Sequence, residues 1–208
     1  MANRLYMDNA ATSFPKPRAV LDAMNHYATQ LGASPGRGAY REAREAGRLM
    51  NQCRERINTL INGESTDHVV FTLNTSDALN IAIKGLVRPG DHIITTWLDH
   101  NSILRPFNML ADLDGVEQTR VECDPETGLV DPEDIRKAVR RNTRLIATLH
   151  GSNVTGTLQP VREIGAIARE VAVPFLVDAA QSLGHVPVDV QADCIDLLAA
   201  PGHKGLLG

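Results

Sequence analysis

Six short apolar runs, separated by longer helical patterns, restrict this chain to one kind of fold. They are HVVFT (68–72), HIITTW (92–97), GVEQTRVEC (115–123), TRLIATLH (143–150), VPFLVD (173–178) and CIDLLAA (194–200). Several are apolar almost throughout, the pattern of parallel strands covered on both faces. The stretches between them carry helix signals. Asp131-Pro132 places an N-cap residue before a proline at the first helical position. After Pro160, Ile164, Ile167 and Ala168 repeat at helical spacing, and Ala78, Leu79, Ile81, Ala82 and Leu86 follow Asn74 in a similar stripe. This β-α-β alternation predicts a three-layer α/β domain with a mainly parallel sheet and right-handed crossovers. The first sixty residues differ: a polar N-terminal stretch, then helices expected around 17–30 and 40–61.

The chain's 208 residues suffice for one well-packed domain. A net charge of −4 with no Lys/Arg block argues against a nucleic-acid face. No apolar run reaches the roughly 18–20 residues of a membrane span. The N-terminus, MANRLYMDN, lacks the apolar core of a signal peptide. Cys53, Cys123 and Cys194 are too widely spaced for a zinc pattern and odd in number, so no metal site or disulfide framework is expected. Each reads as a small buried hydrophobe. A cytoplasmic, reducing location is the expectation.

In open parallel sheets, ligands bind outside the carboxyl ends of the strands. The unusual polar residues follow the strands here. Leu73-Asn74-Thr75-Ser76-Asp77 follows VVFT, and Leu98-Asp99-His100-Asn101 follows IITTW. His150-Gly151-Ser152-Asn153 follows LIATL, Asp178-Ala179-Ala180-Gln181 follows PFLV, and Pro201-Gly202-His203-Lys204 follows DLLAA. Thr75 and Ser76 open a helix, where hydroxyls and free N–H groups form an anion site or simply cap it. No glycine-rich nucleotide loop accompanies them. Asp178 ends an apolar strand, where a carboxylate either meets a cation such as a pyridinium nitrogen or caps the next turn. Lys204 lies between Gly202 and Gly205, which permit close backbone approach to a ligand. Partial desolvation there would make it nucleophilic, whereas most lysines are solvated surface residues. His100 and His203 are open to both a site role and an ordinary loop role.

The segments YMDNAATSFPKP, ASPGRGAY, FTLNTSDALNIAIKGL, DHNSILRPF, HGSNVTGTLQPV, VDAAQSLGHVPVDV and PGHKGLLG together resemble the class V aminotransferase family, especially its cysteine desulfurase and selenocysteine lyase branch. They stand in family order with family-like spacing. The resemblance implies the large domain of a fold type I transferase dependent on pyridoxal 5′-phosphate (PLP). It implies that Lys204 forms the Schiff base and moves protons at the substrate α-carbon. His203, Thr75 and Ser76 correspond to phosphate contacts, and Asp178 to the carboxylate that keeps the pyridine nitrogen protonated. His100 matches the imidazole stacked on the ring, proposed in the family as an acid/base. Asn153 and Gln181 match side chains near the phenolic oxygen. Arg37 is similar to an arginine near the substrate pocket, at a dimer interface. Pro201 stands where many desulfurases carry a hydroxyl, although some relatives also read PGHKGLLG.

Family members continue well beyond this lysine. The absent part carries the persulfide cysteine, the substrate-carboxylate arginine and a Gly-Thr-Gly segment, and none of the three cysteines here matches the persulfide position. The chain is therefore expected to correspond to the N-terminal part of the family and to be incomplete as a 208-residue enzyme, the remainder being a separate chain or the gap being filled by dimerisation or rearrangement. Residues 1–16 would be a segment of the small domain and 17–208 the PLP-binding large domain, truncated after the lysine loop. The strand that follows the lysine in this fold would be missing, leaving HVVFT without its neighbour. The resemblance implies a desulfurase acting on L-cysteine or selenocysteine. The alternatives are another class V reaction, transamination or epimerisation, or a non-catalytic PLP-binding fragment or partner subunit. Expected partners are a small amino-acid substrate, a second copy or a separate C-terminal half, and a sulfur-acceptor protein, with no nucleic acid and no membrane.

Overall fold

A computed structural model describes residues 5–208, so residues 1–4 of the expected N-terminal segment lie outside the described residues. The chain divides into two compact units: the residues up to Phe71 together with Gly202–Gly208, and Thr72–Pro201.

In the first unit, α1 (Arg18–His26) runs into a π turn, Tyr27–Leu31, which ends at Gly32 in the left-handed region (φ 52°). Glycine adopts that conformation without the Cβ penalty, so the helix stops there. The α2 helix (Arg41–Leu60) buries only Ala43 and Ala46, and its remaining length is lined by charged and half-buried side chains. Both helices match the expected positions.

The expected strand at 68–72 does not form. Thr66–His68 is a single 3-10 turn capped by the Ser65 hydroxyl, and the segment after it runs without a ladder. An extended segment needs a neighbour for its N–H and C=O groups. Among the described residues no strand pairs with it. Instead Arg54 Nε donates to the Val69 carbonyl at 3.1 Å, and the guanidinium stacks 5.2 Å from the centroid of the Phe71 ring.

The second unit is the expected α/β sheet. Its helices are α3 (Thr75–Leu86), α4 (Asn101–Asp114), α5 (Pro132–Ala138) and α6 (Val161–Glu170). Its strands are β1 (His92–Thr96), β2 (Glu117–Val121), β3 (Thr143–Leu149), β4 (Phe175–Asp178) and β5 (Leu197–Ala199). They pair in parallel in the order β2-β1-β3-β4-β5. Leu79 and Ile83 of α3 and Ile103, Phe107 and Leu110 of α4 pack with Ile93, Leu145, Ala147 and Leu176 on one face. Ile94, Ile146, Phe175 and Val177, of the opposite parity, are fully buried too. Burial on both faces explains why these strands read as continuous apolar runs. On α6, Gly165 lets the Asp193 carbonyl approach so closely that a Cβ would lie 1.9 Å from it.

One buried polar residue ties three strands together. His92, with no exposed surface, bonds the Thr143 hydroxyl through Nδ1 (2.9 Å) and the Thr119 hydroxyl through Nε2 (2.8 Å). A neutral imidazole has one donor and one acceptor, so two hydroxyls satisfy it. Burial and then the nearby Arg140 guanidinium push its pKa down to about 4. The unfolded chain takes up a proton near 6.5, and the folded one resists until about 4. Stability from this group is therefore complete above pH 6.5 and falls as the pH drops from there through about 4. In His92→Gln, urea unfolding across that window should show a shallower loss of stability than in the wild type. Parallel curves would contradict the account.

Candidate functional site

The strand order reverses between β1 and β3: the chain leaves β1 for β2 on one side and returns to β3 on the other. Such a switch point is where open parallel sheets bind ligands. The loops that follow β1, β3 and β4 carry most of the expected site residues of this unit.

Thr75 and Ser76 begin α3. Asn74 caps the helix by accepting from the Asp77 N–H (2.9 Å), while the Asp77 carboxylate accepts from the Leu73 N–H (3.2 Å). This reciprocal cap closes the turn without using either hydroxyl. The Thr75 hydroxyl oxygen is buried and has no hydrogen-bond partner. An orphaned hydroxyl at the positive end of a helix suits an anionic oxygen.

The Ser76 hydroxyl lies 2.6 Å from the Ser102 hydroxyl, which lies 2.9 Å from His100 Nδ1. His100 is also the N-cap of α4, its Nδ1 accepting from the Ser102 N–H (3.2 Å). With Nδ1 used as an acceptor, the neutral ring carries its hydrogen on Nε2. The three side chains form one chain of hydrogen bonds between the first turns of α3 and α4. A groove of about 670 Å³ opens beside them, lined by Ser76, Asn80, Lys84, His100, Ser102 and Arg105. Two cations and two helix N-termini make its walls positive.

Asp99, next to His100, was no candidate on sequence grounds, but it fixes this loop. Its buried carboxylate accepts from the Thr95 hydroxyl (2.7 Å), the Thr96 N–H (2.7 Å) and the Leu149 N–H (2.5 Å). The loop after β1 is thereby bolted to the end of β3. Burial pushes the carboxyl up to about 6, with its hydrogen bonds pulling the other way.

Asp178 closes β4 in register with Leu149 and is 5% exposed. Its Oδ1 accepts from the Ala180 N–H (2.9 Å). By alternation it shares the face of Leu176, which packs against the α3 and α4 core. Gln181 is half-buried beside Gly151, where a Cβ would sit 3.5 Å from the Gln181 Cβ. Asn153 is exposed on the turn after β3. His150, at the end of β3 three residues before Asn153, is buried with Nδ1 unpartnered, and burial lowers its pKa. Cys123 is no activated thiol, because burial raises its pKa. The described residues hold no cluster of His, Cys, Asp and Glu able to bind a metal. None of their helices is long and apolar enough to cross a membrane.

The remaining candidates belong to the other compact unit. Lys204 is half-buried in the turn 202–208, which is closed by Leu207 N–H to the Lys204 carbonyl (2.9 Å) and Gly208 N–H to the Gly202 carbonyl (2.7 Å). His203 is exposed, with Nδ1 3.0 Å from the Thr12 hydroxyl. Arg37 is exposed on the loop before α2.

A family model described as aminotransferase class-V matches residues 5–208. A protein of Methanothermobacter thermautotrophicus named "Probable cysteine desulfurase" is 44% identical over all of this chain and 51% of its own length. The apo structure of cysteine desulfurase from Thermococcus onnurineus NA1 superposes with a TM-score of 0.91 at 37% identity, covering 98% of this chain and 51% of that one. A structure described as SspA in complex with cysteine has a TM-score of 0.90 at 34% identity, covering 97% of this chain and 58% of that one. The chain spans about half the length of the curated relatives it matches.

Asp99 yields a measurable consequence. Its folded carboxyl, near 6, binds a proton more tightly than the unfolded one, near 3.8, so its stabilising effect is full below about 3.8 and is lost as pH rises through about 6. The stability of the wild type relative to Asp99→Asn should therefore grow as pH falls from 7 to 4 in urea titrations. A constant difference across that range would refute the assignment.

Proposed function

This chain belongs to the class-V aminotransferase family, and we propose that it is the cofactor-binding part of a PLP-dependent cysteine desulfurase acting on L-cysteine or selenocysteine. The observation that carries this reading is the orphaned Thr75 hydroxyl beside Ser76 at the start of α3, a ready anion site with no internal partner. The residues present fit the cofactor in chemical kind. A buried carboxylate at Asp178 suits a protonated ring nitrogen, a hydroxyl pair at a helix N-terminus suits a phosphate, and His100 offers a flat ring at the groove.

When bound, PLP supplies an electron sink for the charge that develops at the substrate α-carbon. Thr75, Ser76 and the first-turn N–H groups of α3 bind the phosphate, with His203 as a further donor. Asp178 holds the proton on the ring nitrogen. His100, fixed through Nδ1 by Ser102, keeps Nε2 free of that contact and would exchange protons with the reacting groups. Lys204 would supply the amine that holds the cofactor and would move the proton at the substrate α-carbon. Asn153 and Gln181 orient the cofactor's phenolic oxygen, and Arg37 serves the substrate.

In this reading residues 17–208 are the large domain, and 1–16 belong to a small domain completed by sequence outside this chain. A dimer, or a separate C-terminal half, a sulfur-acceptor protein and a cytoplasmic location belong to the same proposal. Because the chain spans half of its relatives' length, binding without turnover is the second reading. Curated relatives named cysteine desulfurase or probable cysteine desulfurase favour desulfuration over transamination or epimerisation.

Adding PLP to the purified chain should produce a visible absorbance band that borohydride fixes as added mass on Lys204, and Lys204→Ala should abolish both. Thr75→Val with Ser76→Ala should weaken PLP binding by about tenfold to a hundredfold, the loss expected for hydrogen bonds to a charged group. Sulfide release from cysteine separates a working desulfurase from a binding fragment. Failure of the wild type to take up PLP would defeat the proposal.

A further inference from the structure

The turn that carries Lys204 is held from the other end of the chain. The carbonyl oxygen of His203, the residue immediately before it, lies within hydrogen-bond reach of four donors. They are the Ser13 N–H (3.1 Å), the Ser13 hydroxyl (3.0 Å), the Thr12 hydroxyl (3.1 Å) and the Lys16 ammonium (2.8 Å). Lys16 Nζ also donates to the Ser13 hydroxyl at 2.8 Å. The segment has its own scaffold: the Tyr6 hydroxyl, with one hydrogen to share, lies 2.8 Å from both the Asp8 and Thr12 carbonyl oxygens, the Tyr6 and Phe14 rings meet edge to face, and the Phe14 N–H donates to the Asn9 side-chain oxygen. Ser13 is itself buried.

A carbonyl oxygen has two lone pairs, so four donors exceed what any capping of a surface turn requires. The charged donor is the strongest of them. With the oxygen filled by Ser13 and Lys16, the Thr12 hydroxyl is left for the neighbouring His203 ring nitrogen, 3.0 Å away. The peptide between His203 and Lys204 is thus pinned on its carbonyl side. Fixing that peptide plane fixes the direction in which the Lys204 side chain leaves the turn.

We propose that Lys16, acting with Ser13, is a positioning residue for Lys204: it clamps the His203 carbonyl so that the lysine amine is presented in one orientation. The inference rests on the reading of Lys204 as the cofactor-bonding residue. It does not place Lys16 in contact with the cofactor.

The test uses the chain with Lys16→Met and Lys16→Arg substitutions. Amide hydrogen exchange across residues 203–207, followed without PLP, should accelerate about tenfold or more in Lys16→Met, the loss expected for one charge-assisted hydrogen bond. PLP capture, read as the rate of visible absorbance and as borohydride-fixed mass on Lys204, should slow by a similar factor. The thermal midpoint of the sheet unit should stay at the wild-type value, and Lys16→Arg, which keeps a cationic donor, should recover most of both effects. Unchanged exchange in the turn, or wild-type capture of PLP by Lys16→Met, overturns the proposal. If Lys16→Met does not fold, Ser13→Ala removes one donor to the same carbonyl and carries the same two readouts. A wild-type chain that attaches no PLP at Lys204, even though exchange in the turn still accelerates in the variant, marks failure of the cofactor reading itself and removes the role with it.

Discussion

The pairing of β1 with β3 is the constraint on which the rest of the sheet unit depends. It is the point where the strand order reverses, and each end of the pair is fastened by a buried polar residue. His92 sits at the amino end between Thr119 and Thr143, and Asp99 gathers Thr95, Thr96 and Leu149 at the carboxyl end. Between them the apolar residues supply most of the driving force but little directional information. The polar residues specify the register. A slip by one residue would leave buried hydrogen-bonding groups unpaired at both ends, which is far costlier than rearranging interchangeable aliphatic side chains.

Much of this was legible in the amino-acid order. Apolar runs gave away β1, β3 and β4, and Asp131-Pro132 marked α5 at the position where Asp131 caps it. Other features were not legible, for identifiable reasons. The α4 helix contains Pro106 at its sixth position, which reads as a helix breaker, yet the helix continues through it with the ring on the buried face. Its cap is a histidine, a residue outside the usual capping set. HVVFT has the composition of a strand, but composition does not supply a neighbour, and Arg54 takes its place at Val69.

The candidate site divides along the same line. Thr75, Ser76, Asp178 and Lys204 stand out because each is a polar residue at the end of an apolar run or within four residues after it. Asp99 and Ser102 flank His100 after β1 and read there as ordinary loop and capping residues. Their importance comes from partners fifty and twenty-six residues away, Leu149 and Ser76, pairings that local spacing does not encode. Lys16 is more remote still: its acceptor lies 187 residues along the chain.

That separation has a consequence for the order in which the protein takes shape. Thr12 and Ser13 leave the ribosome early, and their acceptor at His203 follows 191 and 190 residues later. At roughly 5–20 residues per second, the N-terminal segment waits on the order of 10–40 seconds before its partner exists. The helices and strands β1 to β4 have their local partners before then, whereas β5 (Leu197–Ala199) precedes His203 by only four residues. The lysine turn is therefore among the last features to be completed. During that interval the donors of Thr12, Ser13 and Lys16 are held by water, and the last strand of the sheet and the lysine turn reach their partners together.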